Sequence, residues 1–198
     1  MTAPHHPAIA ARELILGGQK SGKSRRAEQL AAAWLAQSPA HQAVLIATAQ
    51  AHDAEMRERI ARHQRERAAR VPGLRTVEVP HDLAGAFAAH GSAHTLLVVD
   101  CLTLWLTNWS MPFENSEQNR PLTQEWKAQE AMFLQALQQS PGPVVLVGNE
   151  IGLGVIPLGA EVRAFVDALG TLNQRVAQVC TRVTLMAAGL PLCLKESA

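Results

Sequence analysis

The sequence predicts an α/β domain, a mostly parallel sheet with helices on both faces, and three observations lead there. Short apolar runs alternate with longer stretches of helical spacing along the chain. The runs are continuous and rich in Val, Ile and Leu, as in strands covered on both sides. The first run also passes through a glycine-rich turn directly into a helical segment, the junction at which such sheets bind ligands.

In chain order, strands are expected at residues 13–16, 43–48, 95–100, 144–149 and 182–187. Residues 74–79 suit a further strand, and residues 190–195, after Gly189, suit a terminal hairpin with the strand before them. Helices are expected at residues 23–37, 53–70, 82–89, 121–139 and 160–180. Strand followed by helix, repeated, gives the parallel sheet. Residues 110–120 are polar and rich in turn formers, either a substrate-covering loop or a disordered connector. Residues 1–11 lack the basic and apolar regions of a signal peptide and are expected to be a flexible leader, leaving residues 12–198 as one domain.

Composition bounds the function. The chain has 198 residues, 47% hydrophobic and 18% charged, which suits one large core and excludes a disordered chain. A net charge of +1 supplies no global field for a polyanion, so a small molecule is the expected partner and nucleic acid is not. Cys101, Cys180 and Cys193 show neither disulfide nor zinc-ligand spacing, which fits a reducing cytoplasm. No apolar run approaches the ~18 residues of a membrane span.

Gly17-Gly18-Gln19-Lys20-Ser21-Gly22-Lys23-Ser24 matches GxxxxGK[ST] between a predicted strand and a predicted helix, the context of a P-loop. Its backbone N–H groups form an anion nest, Lys23 neutralises β- and γ-phosphates, and Ser24 is a ligand for Mg²⁺. Asp100 ends the run LLVVD, where it is either an acid serving that Mg²⁺ or a cap on the following turn. These residues make the fold a RecA-like P-loop NTPase. No Asn-Lys pair exists for an NKxD base-reading element, which disfavours a guanine-nucleotide switch. A nucleic-acid-dependent ATPase module is the alternative from another class, and arginines interleaved with acids over residues 53–70 would be its support. That pattern reads mainly as a solvated helix. On it Met56, Ile60 and His63 share one stripe, so His63 is either a core imidazole or a functional one.

GGQKSGKSRRAE, IATAQAHDAEMRERIARHQRER, LLVVDCLTLWLTNW and the block from VGNEIGLGVIP to AAGLPLCLK, in this order, resemble the bifunctional adenosylcobinamide kinase/adenosylcobinamide-phosphate guanylyltransferase family over residues 13–195. The resemblance implies phosphorylation of adenosylcobinamide by ATP or GTP, then transfer of GMP from GTP to the new phosphate. It implies His63 as the residue that becomes guanylylated, and a homotrimer. It carries nucleotide contacts to Gly17 through Ser24, Ala47, Thr48, Ala49, His63, Gln64, Arg65, Glu66, Glu78 and Asp100. An enzyme retaining only one of the two activities is the alternative within this class. Asn149 and Glu150 either touch substrate or Mg²⁺ or merely cap a turn, and Trp105, Trp109 and Trp126 either pack on the corrin or belong to the core.

Overall fold

The computed structural model describes residues 8–50, 54–110, 124–155 and 157–197, with the backbone alone for residues 54–56, 59, 60 and 63. The chain runs β1 (Arg12–Gly17), α1 (Lys23–Gln37), β2 (Gln42–Ala47), α2 (Ala54–Arg70), β3 (Leu74–Glu78), α3 (Leu83–His90) and β4 (Thr95–Asp100). It continues with α4 (Leu102–Ser110), α5 (Gln124–Gln139), β5 (Val144–Val147), α6 (Ala160–Val179), β6 (Arg182–Ala187) and β7 (Leu190–Glu196). The seven strands form one sheet in the order β3-β2-β4-β5-β1-β6-β7, parallel except for the β6–β7 hairpin. Of the leader, residues 1–7 lie outside the described residues. Ala8 accepts a hydrogen bond from Arg182 and Ala11 one from the Val144 amide.

Every predicted element is present, and α4 is an addition. Leu102, Trp105, Leu106 and Trp109 fall at i, i+3, i+4 and i+7, so one face of α4 is apolar. Leu102, Trp105 and Leu106 enter the core and Trp109 packs against it. The loop expected at residues 110–120 falls outside the described residues except for Ser110, which closes α4.

Alternate side chains of each inner strand enter different cores, because Cβ atoms point to opposite faces of a sheet. Leu14, Leu16, Val44, Ile46, Leu97 and Val99 pack with α3, α4, α5 and α6. Ile15, Leu45, Leu96, Val98 and Val145 pack under α1. Both faces of the central strands are therefore dry, which is why those strands read as unbroken apolar runs. The parallel register then fixes what meets at the carboxyl edge. Glu78 pairs with Ala47, Ala47 with Asp100, and Asp100 with Val147, in one row across four strands. β5 lies between β4 and β1, and the Glu150 amide donates to Gly17 O at 3.1 Å, tying the loop after β5 to the glycine that ends β1.

Candidate functional site

The loop between β1 and α1 holds its shape through the absence of two side chains. Gly17 has φ +153°, and a Cβ there would lie 2.5 Å from the Met186 carbonyl oxygen. Gly22, the residue before α1, has φ +101° and would bring a Cβ to 3.2 Å from Gly189 Cα in the β6–β7 turn. That turn also donates Gly189 N–H to Ser21 O at 3.0 Å, so the hairpin tip clasps the loop from behind. No side chain caps the start of α1. Its first amides and the positive end of its dipole are thus left for an anion.

Lys23 is only 8% exposed and its Nζ donates to Gly18 O at 2.7 Å, folded back into the loop it serves. Burial lowers its pKa from the usual 10.5, with Cys101 and Asp100 opposing that shift. Asp100, at the end of β4, has Ser24 near enough to favour its ionised form, so the two oxygen-bearing side chains expected at a phosphate-bound cation stand near one another. Burial raises the Asp100 pKa, against the pull of Arg67, Ser24 and Lys23. Its neighbour Cys101 is pushed up to about 11 by burial and by Asp100, an inert thiol at neutral pH.

Arg67 is where the sequence reading needs correction. Arginines of α2 were expected on a solvated face, but Arg67 is 8% exposed. Its guanidinium lies 3.6 Å from Glu28 of α1 and 3.9 Å from Asp100. Arg70 makes a two-pronged contact with the same Glu28, at 2.8 and 3.1 Å. The helix carrying His63 is therefore fastened by two cations to α1 and, through Arg67, reaches Asp100. Among the described side chains of α2, the Arg70–Glu66 pair at 3.5 Å follows the expected i,i+4 pattern. Spacing could not reveal Arg67, because interleaved acids and bases look alike on a wet face and on one that meets a buried Glu28.

The residues carried over by resemblance separate into groups. Ala49, Gln64 and Glu78 line one cavity of about 350 Å³ with Gln50, Arg57, Ala61 and Pro80, and Gln64 donates to Glu78 at 3.1 Å. Ala47 stands beside Glu78 and Asp100 in the register row. Thr48 is fully buried, its hydroxyl bonded to the Cys101 carbonyl at 2.7 Å and to the Cys101 amide at 2.9 Å. Its hydroxyl thus holds the end of β4 in place. Arg65 and Glu66 are exposed. His63 belongs to α2, but its side chain lies outside the described residues.

Thr103, Asn108 and Asn173 carry no sequence signal and yet support the site. Asn108 of α4 donates to Thr48 O at 2.8 Å and Pro80 O at 2.9 Å, joining the ends of β2 and β3. Thr103 accepts from the Asn149 amide at 2.8 Å, and Asn173 donates to Asn149 O at 3.1 Å. Glu150 accepts from the Gly152 amide at 2.8 Å, so it closes the turn after β5. Trp105 and Trp126 are buried against one another in the core, and Trp109 sits edge-on to His81.

The model of the family described as cobinamide kinase / cobinamide phosphate guanyltransferase matches residues 13–194. The chain is 46% identical over 185 residues to the bifunctional adenosylcobalamin biosynthesis protein CobP of Pseudomonas aeruginosa, covering 93% of this chain and 97% of that protein. It is 33% identical to the bifunctional adenosylcobalamin biosynthesis protein CobU of Salmonella typhimurium, over 92% of this chain and 98% of that one. Among solved structures, the flagellar accessory protein FlaH of Methanocaldococcus jannaschii superposes with a TM-score of 0.50 at 13% identity, over 96% of this chain and 80% of that chain. At that identity the likeness concerns the fold alone.

Proposed function

The chain belongs to the cobinamide kinase / cobinamide phosphate guanyltransferase family, and from that premise we propose how its residues divide the two reactions. The protein is a bifunctional transferase of adenosylcobalamin biosynthesis, acting on cobinamide and then on cobinamide phosphate. The observation that carries the assignment of roles is the meeting of Lys23, Ser24 and Asp100 at the mouth of the loop that begins α1.

In the kinase step the hydroxyl oxygen of the aminopropanol arm attacks the γ-phosphorus of a nucleoside triphosphate. The bond to the β-phosphate bridging oxygen breaks, the nucleoside diphosphate leaves, and the hydroxyl proton passes to solvent. The loop amides and Lys23 hold the phosphates and offset the charge that accumulates on the leaving oxygens. Ser24 and Asp100 are hard oxygen donors near one another, a set that fits Mg²⁺, which keeps most of its ligands as water and phosphate. These two residues would hold Mg²⁺, which would supply further charge neutralisation at the β- and γ-phosphates.

In the guanylyl step a neutral ring nitrogen of His63 attacks the α-phosphorus of GTP and pyrophosphate leaves. A cobinamide phosphate oxygen then attacks the same phosphorus, the P–N bond breaks and the imidazole is restored. Gln64, one residue beyond His63, and Glu78, to which it is hydrogen-bonded, offer an amide and a carboxylate to the nucleotide, with Ala47 to Ala49 at the end of β2 beside them. Arg65 and Glu66 complete the segment that follows the acceptor. The substrate is the adenosylated corrinoid, the enzyme acts in the cytoplasm as a homotrimer, and it needs no nucleic acid.

Intact-mass measurement after incubation with GTP and Mg²⁺ tests this reading. Wild-type protein is expected to gain one GMP, in a bond that acid breaks and alkali spares. His63→Ala is expected to lose the adduct and the second activity while still phosphorylating cobinamide. An undiminished adduct in His63→Ala would sink the assignment.

A further inference from the structure

A cavity of about 510 Å³ borders the carboxyl edge of the sheet, lined by the loop after β5 and the exposed face of α6, and it shares no lining residue with the cavity of Gln64 and Glu78. We propose that it receives the edge of the corrinoid that carries the aminopropanol arm, so that the arm's hydroxyl is directed at the phosphate loop. This rests on the transferase reading above and assigns its second substrate a place.

Gly170 carries the inference furthest. It sits inside the 20-residue helix α6, where glycine costs roughly 1 kcal/mol against alanine. An interior helical glycine is ordinarily explained by a neighbour packed too close for a side chain. Here, beyond the backbone of α6 itself, no atom of the described residues lies within 4 Å of the position its Cβ would take, and Gly170 lines the cavity. The missing side chain leaves room for something that is not part of this chain.

The surface around it suits a corrinoid. Val166, Gly170 and Gln174 follow one another at i, i+4 and i+8 on the cavity wall, with Asp167 and Thr171 beside them. Opposite them is the loop of Gly152 and Gly154, where no side chain stands between the backbone and a ligand, although the Gly152 amide itself is held by Glu150. Among the described apolar residues of that loop, Leu153 is 80% exposed, Val155 96% and Leu158 98%. A macrocycle edged with methyl groups and uncharged primary amides matches this mixture of aliphatic surface, Gln174 amide and Thr171 hydroxyl. A triphosphate does not. The one basic side chain lining the cavity among the described residues is Arg163, and its guanidinium is turned onto the carbonyls of Pro157 and Leu158. The location also fits the reaction, because the Glu150 amide that bonds Gly17 O begins the very loop whose next residues line the cavity.

The test is a size series at one position, read by the visible absorption of cobinamide titrated into the protein. Gly170→Ala meets no protein neighbour and is expected to fold as wild type does, but its methyl enters the space assigned to the corrinoid and is expected to weaken cobinamide binding a few-fold. Gly170→Phe fills the cavity and is expected to weaken binding at least tenfold, with KM for cobinamide raised to match. Its labelling by GTP alone, which needs no corrinoid, is expected to stay within twofold of wild type. Thr171→Trp, an exposed position on the same wall, blocks the cavity by a second route and guards against an idiosyncratic failure of the first variant. Unchanged cobinamide affinity in both bulky variants overturns the proposal. So does loss of GTP labelling, which would make the cavity a nucleotide site, or a change of oligomeric mass, which would make it a contact between copies. Wild-type protein that takes no label from GTP and does not phosphorylate cobinamide would instead refute the transferase roles themselves.

Discussion

Gly17→Ala and Gly18→Ala differ by one position, and the structure assigns them opposite outcomes. A Cβ on Gly17 would stand 2.5 Å from the Met186 carbonyl oxygen and 2.6 Å from Ser21 Oγ, whereas one on Gly18 meets nothing within 4 Å. Met186 O belongs to β6, held in the sheet beside β1, so the phosphate loop is the part that yields. It must open by at least about half an ångström before the contact reaches 3.0 Å, the shortest a Cβ tolerates. Overpacking of this kind costs about 1–3 kcal/mol, or a fall in Tm of roughly 3–10 °C for a chain of this size. A misplacement near 1 Å is worth about a hundredfold in rate, so half of that lowers kcat/KM for the nucleotide by about tenfold. Gly18→Ala is expected within about 0.5 kcal/mol of wild type with nucleotide kinetics preserved. Thermal melts of the nucleotide-free proteins and initial rates of cobinamide phosphorylation measure both quantities. Wild-type Tm and kcat/KM in Gly17→Ala would show that the loop is not pinned against β6, and the reasoning would fail.

Three further outcomes follow from the charged groups of the site. Asp100→Asn is expected to leave the nucleotide-free protein at least as heat-stable as wild type, since burial makes the ionised acid costly there, while turnover falls about a hundredfold; collapse of stability with normal turnover would make Asp100 a turn cap. Burial depresses the Lys23 pKa below 10.5, so the folded chain binds that proton less tightly than the unfolded one and stability gained from this group rises with pH up to about 10.5. Lys23→Met, which binds no proton there, is therefore expected to be inactive yet more heat-stable at neutral pH, with the difference shrinking as pH rises in a series of melts. Arg67→Gln removes a buried cation from between two acids, but Arg70 still covers Glu28. The expected loss is about 1–3 kcal/mol, below the 3–5 of a stranded buried charge, and a change under about 0.5 kcal/mol in urea unfolding would count against the strap.

The strands were legible because burial on both faces writes itself into composition, as Leu96 through Val99 illustrate. The phosphate loop was legible because steric demands at Gly17 and Gly22 leave few residue choices. α4 escaped notice although its Leu102, Trp105, Leu106 and Trp109 carry the helical period, since it follows Asp100 almost at once, with no glycine or proline to mark a new element. Arg67, Thr48 and Asn108 were illegible as supports for a different reason. Their partners, Glu28, Cys101 and Pro80, lie 39, 53 and 28 positions away in sequence, and no local pattern encodes such pairings.

The clasp of the hairpin tip on the phosphate loop also sets an order of events when the chain is made. β1 emerges first from the ribosome, yet its sheet neighbours are β5 and β6, whose residues are more than a hundred positions later. β2, β3 and β4 can pair as soon as they appear, while β1 waits. The amide that bonds Ser21 O belongs to Gly189, so the loop reaches its finished shape only when almost all of this sequence has been released. A nascent chain halted before that point holds the complete GxxxxGK[ST] sequence without its clasp, so the finished loop comes late in folding although its residues are made early.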